Sequence, residues 1–318
     1  MIELISYGAF FLTLALTFGI MCLGLNVQWG QTGLFNVGVA GFVGIGAYVS
    51  ALLTTPAAQE HLGGFDLPIV VGWIGAGVAA ALASVLLGAI TLRLRSDYLA
   101  IATFGFAIVV QLAALNLQTI TGGPFGISFI PRPFGALAGD PLVFGLLNLG
   151  VVSVVTIGVY ATLEHLMRSP WGRVLRAIRE DEQAAAALGK NAIIFRIQAF
   201  AVGGAIMGLA GAVQAHFIGY ISPEGYVPIL TFQVWAMLIV GGSGNNRGAI
   251  LGAVVVWAFW AASGAIIAAV VPPEEQARAS ALKIVMIGIA ICVVLLLRPR
   301  GLLGELKTVS RHIEGGKA

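Results

Sequence analysis

The stretch GGSG at 241–244 sets Ser243 among glycines within an apolar sequence, where a hydroxyl could serve as an intramembrane nucleophile. That chemistry needs a histidine within reach to take the serine proton. After Ser243 the only histidine is His312, in the polar tail, and His216 lies at the far end of an earlier apolar run. His61, His165 and His312 read as interfacial or solvated residues. Cys22 and Cys292 each sit inside an apolar run and read as small buried hydrophobes, with no disulfide or metal spacing. The phosphate-binding pattern G-x-x-x-x-G-K-[ST] is absent, so the chain has no ATP site of its own. These absences point away from an enzyme and from a resident cofactor or metal.

What must position the remaining polar groups is a set of membrane helices. The 318 residues are 58% hydrophobic and 10% charged, too little polar surface to cover a soluble globule. A span needs about 20 apolar residues. Candidate spans are 4–27, 37–54, 69–92, 98–118, 142–163, 192–215, 228–242, 249–271 and 281–297, a bundle of about 8–10 spans in one all-α transmembrane domain over 1–318. The segments 37–54 and 228–242 are short enough to be re-entrant or broken. Glu3 stands where a signal peptide would be positive, which reads as a retained membrane segment. No charged residue lies near the centre of a span, so no proton or ion relay is visible.

Basic residues set the orientation. Of 17 Lys and Arg residues, only Arg132, Arg278 and Lys283 fall on one side. The others lie in the loops around Arg93 and Arg95, 168–196 and Arg247 and in the tail 298–318. That side is expected to be cytoplasmic, with the N-terminus outside. The small net charge of +3, grouped by membrane side, is not a nucleic-acid signal, and no nucleic-acid partner is expected.

Two stretches interrupt the apolar pattern, GQTGLFNVG at 30–38 and GGSGNNRG at 241–248, one in each half. Unwound backbone at membrane depth is tolerated where it is buried in protein or lines a wet cavity, and paired interruptions mark transport sites. Gln31, Thr32, Asn36, Ser243, Asn245 and Asn246 are therefore expected to line or gate a path. Their threading favours an inner gate as much as a midplane site, and ordinary capped turns would have the same composition.

The longest charged loop, about 168–192, holds RSPWGRVLRAIREDEQAAAALG. Ser169 as cap, Pro170 at the first position and Gly189 at the end predict one helix over 169–189. Val174, Ile178, Ala185 and Leu188 share a face. Arg173, Arg176 and Arg179 form a basic ridge, with Arg176 placed to pair with Glu180. Ala184 to Ala187 would permit close approach by another surface. The alternative is a basic helix on anionic lipid, against which the acidic Glu180, Asp181 and Glu182 argue.

REDEQAAAALG (179–189) resembles the coupling loop of bacterial ABC importer permeases. GLNVQWGQTGLFNVGVAGFVGIGAYVSALL (24–53), LRLRSDYLAIATFGFA (92–107), TGGPFGI (121–127), GYISPEGY (219–226), GGSGNNRGAILGA (241–253) and RPRG (298–301) resemble branched-chain amino acid permeases of the LivM type. The likeness implies an ABC importer subunit in the inner membrane. It would work with a second, LivH-type permease, two ATP-binding subunits that hold ATP and Mg, and an external solute-binding protein, amid membrane lipid. It implies ATPase coupling through Arg173, Arg176, Arg179, Glu180, Asp181, Glu182, Ala185 and Gly189. Other importers have Gly six positions after the loop Glu; here Glu182 stands seven before Gly189 and Gln183 six. The Gly- and Pro-containing outer segments, with Gly122, Gly123 and Pro124 in one and Ser222, Pro223 and Glu224 in the other, could receive the binding protein or simply join spans. Substrates implied are branched-chain amino acids, with urea, amides or other small solutes as alternatives; a passive small-solute channel is the remaining rival.

Overall fold

Small residues at four-residue spacing decide which face of each apolar helix turns inward. The clearest case is α3 (Ile69–Thr91), where Gly72, Ala76, Ala80, Ser84 and Gly88 are buried. Val70, Ile74, Val78, Leu82, Leu86 and Ile90 on the same helix are exposed. In lipid the large side chains gain nothing by turning inward, whereas small ones let two backbones approach. The partner is α9 (Ala192–Ile218), which is built the same way. A Cβ on Gly208 would stand 2.8 Å from the Ala76 carbonyl oxygen, so these helices meet backbone to backbone.

The computed structural model describes residues 2–56, 62–94, 96–272 and 301–304, with scattered single positions between 275 and 296. The other long helices are α1 (Ile2–Gln28), α4 (Ser96–Asn116), α6 (Pro141–Arg168) and α11 (Asn246–Val270). With α3 and α9 they are the six helices long and apolar enough to cross a membrane among the described residues. Two shorter apolar helices are α2 (Val39–Thr54) and α10 (Pro228–Gly241). The connecting helices are α5 (Gln118–Thr121), α7 (Pro170–Glu180) and α8 (Glu182–Ala187). Helix α9 packs against α1, α2 and α3; α1 also carries α6 and α11, and α10 lies against α11.

Eight of the expected spans coincide with these helices; the ninth, 281–297, lies outside the described residues apart from single positions. Of the tail 298–318, residues 301–304 are described. The short segments are unbroken helices of 16 and 14 residues. At 1.5 Å per residue they reach about 24 and 21 Å, less than a bilayer core of about 30 Å. Irregular backbone at 29–38 and 242–245 adjoins one end of each. Cys22 is buried as expected, but Cys292 is exposed. An apolar thiol is as compatible with lipid as with a protein core, so hydropathy does not separate the two.

Candidate functional site

The two glycine-rich interruptions come together at the end of the bundle that carries α7. Helix α1 stops at Gln28, and Gly33 takes the left-handed φ of 71° that turns the chain. Helix α10 stops at Gly241, after which Gly242 and Gly244 have φ of 110° and 85°. Asn245 caps α11, its Oδ1 accepting from Arg247 N at 3.0 Å and Gly248 N at 3.4 Å. Gly244 N then donates to Asn26 Oδ1 at 2.8 Å, and Gln31 Nε2 donates to the Gly244 carbonyl at 3.0 Å. Asn26 Nδ2 donates to Asn246 Oδ1 at 2.9 Å. A Cβ at Gly30 would stand 2.5 Å from Gly244 N, so this approach requires glycine.

The first interruption is held from the side as well. Asn36 Nδ2 donates to Gln28 Oε1 at 2.6 Å, and Gln28 Nε2 to the Phe200 carbonyl of α9 at 2.9 Å. Asn36 Oδ1 accepts from Gly38 N at 2.7 Å, and the Thr103 and Thr231 hydroxyls accept from Val37 N and Ala40 N, so side chains satisfy amides at the start of α2. Trp235 Nε1 donates to the Asn36 carbonyl at 2.8 Å. The Trp29, Phe35 and Trp235 rings cluster with centroids 4.9–5.4 Å apart, Trp235 meeting the other two edge to face. The Thr32 hydroxyl is buried against the Gln28 carbonyl. Of the six residues expected to form a gate, Gln31 and Asn246 meet through Asn26 and the Gly244 backbone. Asn245, Thr32 and Asn36 brace the two turns, and Ser243 joins none of these bonds.

Glu164 was not among the expected site residues. It lies one turn from the end of α6, where it reads as an ordinary end charge beside Arg168. Its Oε1 takes Arg168 Nη2 at 3.1 Å, and its Oε2 accepts from Asn246 Nδ2 at 3.2 Å. The chain of bonds Gln31–Gly244–Asn26–Asn246–Glu164 thus ties α1, the loop before α11, and α6.

Helix α7 follows α6 after Ser169 and buries Gly172, Leu175 and Ile178. The expected single helix over 169–189 is two. Asp181 breaks it and caps α8, its Oδ1 accepting from Ala184 N at 2.9 Å. An acidic side chain that can satisfy the amides of a new helix competes with continuation of the old one. Ser169 occupies the N-cap position, but its hydroxyl donates back to the Leu166 carbonyl at 2.6 Å. Gly189 has the expected left-handed φ of 77°. Ile178 and Ala185 are buried together, with Val174 packed on them, whereas Leu188 is 81% exposed because the break turns it off their face. Arg176 donates to the Met167 carbonyl at 3.1 Å, closing the end of α6, in place of the expected pairing with Glu180. Arg173 donates to the Arg168 carbonyl, and Glu182 pairs with Arg196 at 2.8 Å. Arg179 donates to the Gly30 carbonyl. One helix therefore touches the first interruption directly and reaches the second through α6.

At the opposite end the two outer segments adjoin. Ile127 and Ile221 exchange backbone bonds of 2.9 and 3.0 Å, and Tyr220 donates to the Phe125 carbonyl at 3.0 Å. Pro124 and Glu224 are exposed, Gly122 and Ser222 half-buried, and Gly123 and Pro223 buried. Phe125 and Phe129, which hydropathy alone would assign to the core, are 85% and 87% exposed there. His216 is bound to Ser50 Oγ at 2.9 Å and to the Pro131 carbonyl at 2.7 Å, with no link to Ser243.

The family described as "Branched-chain amino acid transport system / permease component" matches residues 8–295. The chain belongs to this family. It is 34% identical to the "High-affinity branched-chain amino acid transport system permease protein LivM" of Escherichia coli K12, over 92% of this chain and 68% of that protein. It is 31% identical to a "Probable branched-chain amino acid transport permease protein LivM" of Methanocaldococcus jannaschii, over 73% of this chain and 74% of the relative. A LivH permease of Salmonella typhimurium is 25% identical, over 92% and 93%. No solved structure matches the chain. Membership and six apolar helices make the chain a multi-pass membrane permease. The junction just described lies within its matched region.

Proposed function

We propose that the chain is the LivM-type subunit of a bacterial ABC importer and carries branched-chain or related amino acids across the inner membrane. The observation that carries this reading is the double attachment of α7, by Arg179 to Gly30 and through α6 and Glu164 to Asn246. An importer permease without an engine needs a rigid element that passes a push from outside to the backbone closing its path. Helix α7 has the amphipathic build for that task. ATPase subunits binding ATP and Mg would grip it from the cytoplasm, with Asp181, Glu182 and Ala185 at the α7–α8 corner. Their closure would rock α6 and α9 and separate the two interruptions, opening and closing an inner gate. The LivH-type permease would complete the pathway, and the external binding protein would dock at the paired segments 122–124 and 222–224. In this reading α7 and the C-terminus lie in the cytoplasm and the N-terminus outside, which the charge bias supports.

Reconstitution tests this. With both permeases, the ATPases and the binding protein in vesicles, radiolabelled leucine is expected to accumulate only when ATP is supplied on the ATPase side. Accumulation against a gradient by this chain alone would overturn the reading.

A further inference from the structure

We propose that the cavity where α6, α7 and the start of α11 meet binds the headgroup of an anionic phospholipid bearing a free hydroxyl, of the phosphatidylglycerol class. The cavity has a volume of about 670 Å³ and is lined by Arg168, Arg173, Arg176 and Arg247, with Glu164 and Glu180. Four cations against two anions leave an excess of positive charge, and Glu164 is already taken by Arg168 and Asn246. The other three arginines are each held by a neutral acceptor. These are the Arg168 carbonyl at 3.2 Å, the Met167 carbonyl at 3.1 Å and the Tyr160 hydroxyl at 3.1 Å. Such contacts orient a guanidinium without cancelling its charge, and its further N–H groups match phosphate oxygens.

A second observation selects the headgroup. Gln31 also lines the cavity, and its Oε1 is buried with no hydrogen-bond partner. It is an acceptor, so phosphate oxygens cannot satisfy it, but a headgroup hydroxyl can. Position agrees as well. The cavity lies at the last turn of α6 and the first of α11, the headgroup level of two spans, where basic pockets recognise anionic lipid. Beyond Arg247 on α11, Leu251, Val255 and Phe259 are exposed at four-residue spacing and offer an apolar track for an acyl chain. The proposal goes beyond the transport reading and is tested without transport.

The test is native mass spectrometry of the full-length chain in its purified complex, released from phosphatidylcholine nanodiscs doped with phosphatidylglycerol or with phosphatidic acid. Phosphatidylglycerol is expected to stay bound in preference to phosphatidic acid. The double variant Arg173→Gln/Arg247→Gln, which removes two of the arginines held only by neutral acceptors, is expected to weaken its retention about 25-fold, at roughly fivefold per arginine. Arg173→Lys/Arg247→Lys, which keeps the charge, is expected to retain more of it than the Gln pair, and retention by the unaltered chain is expected to fall as salt rises. Equal retention by the Gln pair, equal retention of phosphatidic acid, or salt-independent retention would each overturn the assignment. A further arm adds inorganic phosphate to phosphatidylcholine nanodiscs. Displacement of phosphatidylglycerol by phosphate at comparable concentration would make this a free-phosphate site and overturn the lipid.

Discussion

Replacing Asn246 by leucine should separate ATP consumption from solute movement. Asn246 accepts from Asn26 Nδ2 at 2.9 Å and donates to Glu164 Oε2 at 3.2 Å. Leucine is of similar size and does neither. Asn26 is fully buried, so its stranded donor costs about 1–3 kcal/mol. The Glu164 side chain is 29% exposed and keeps Arg168, so water replaces its lost donor and that arm adds under about 1 kcal/mol. A total near 2 kcal/mol shifts the balance between joined and separated interruptions by about 30-fold. If the junction closes the path in one state and opens in the other, that shift leaves the gate ajar without touching the ATPase chains. Leucine uptake and ATP hydrolysis would be measured in the same vesicles. The expected result is several times more ATP consumed per leucine, with the complex still assembled. Glu164→Gln, which keeps an acceptor for Asn246 and loses only the ion pair, should have the smaller effect. An unchanged ratio of ATP to leucine in Asn246→Leu would refute the reasoning.

Arg179→Glu removes the donor to the Gly30 carbonyl and should abolish transport-linked stimulation of the ATPase while the chain still inserts; full stimulation in reconstituted vesicles would count against the α7 contact. Gly30→Ala places a Cβ 2.5 Å from Gly244 N and should lower stability by about 1–3 kcal/mol, read as a lower melting temperature in detergent. Trp235→Phe keeps an aromatic ring at this position but loses the bond to the Asn36 carbonyl and part of the indole packing, for at least about 1–3 kcal/mol by the same melting assay. Gly208→Leu should separate α3 from α9 and prevent recovery of folded protein, whereas Ile90→Ala on the exposed face of α3 should leave yield unchanged.

The sequence by itself determined the eight apolar helices among the described residues and the existence of two interruptions. Each follows from a local rule: a bilayer demands a run of apolar residues, and glycine with short polar side chains breaks a helix. The helical character of 169–189 was legible for the same reason, from Pro170, an apolar face and Gly189. Its break was not, because Asp181 is equally at home on a solvated helix surface and at a cap, and the bond to Ala184 N decides between them. Asn26 was hidden within an apolar run and Glu164 beside an arginine. Only packing revealed what they bind, because their partners lie far along the chain at Gly244 and Asn246. The tertiary structure decided that the interruptions form one junction rather than two separate turns. The close passage of α1 past the α10–α11 turn, with glycine at the contact, brings those buried polar groups within bonding distance, and burial makes leaving them unpaired costly.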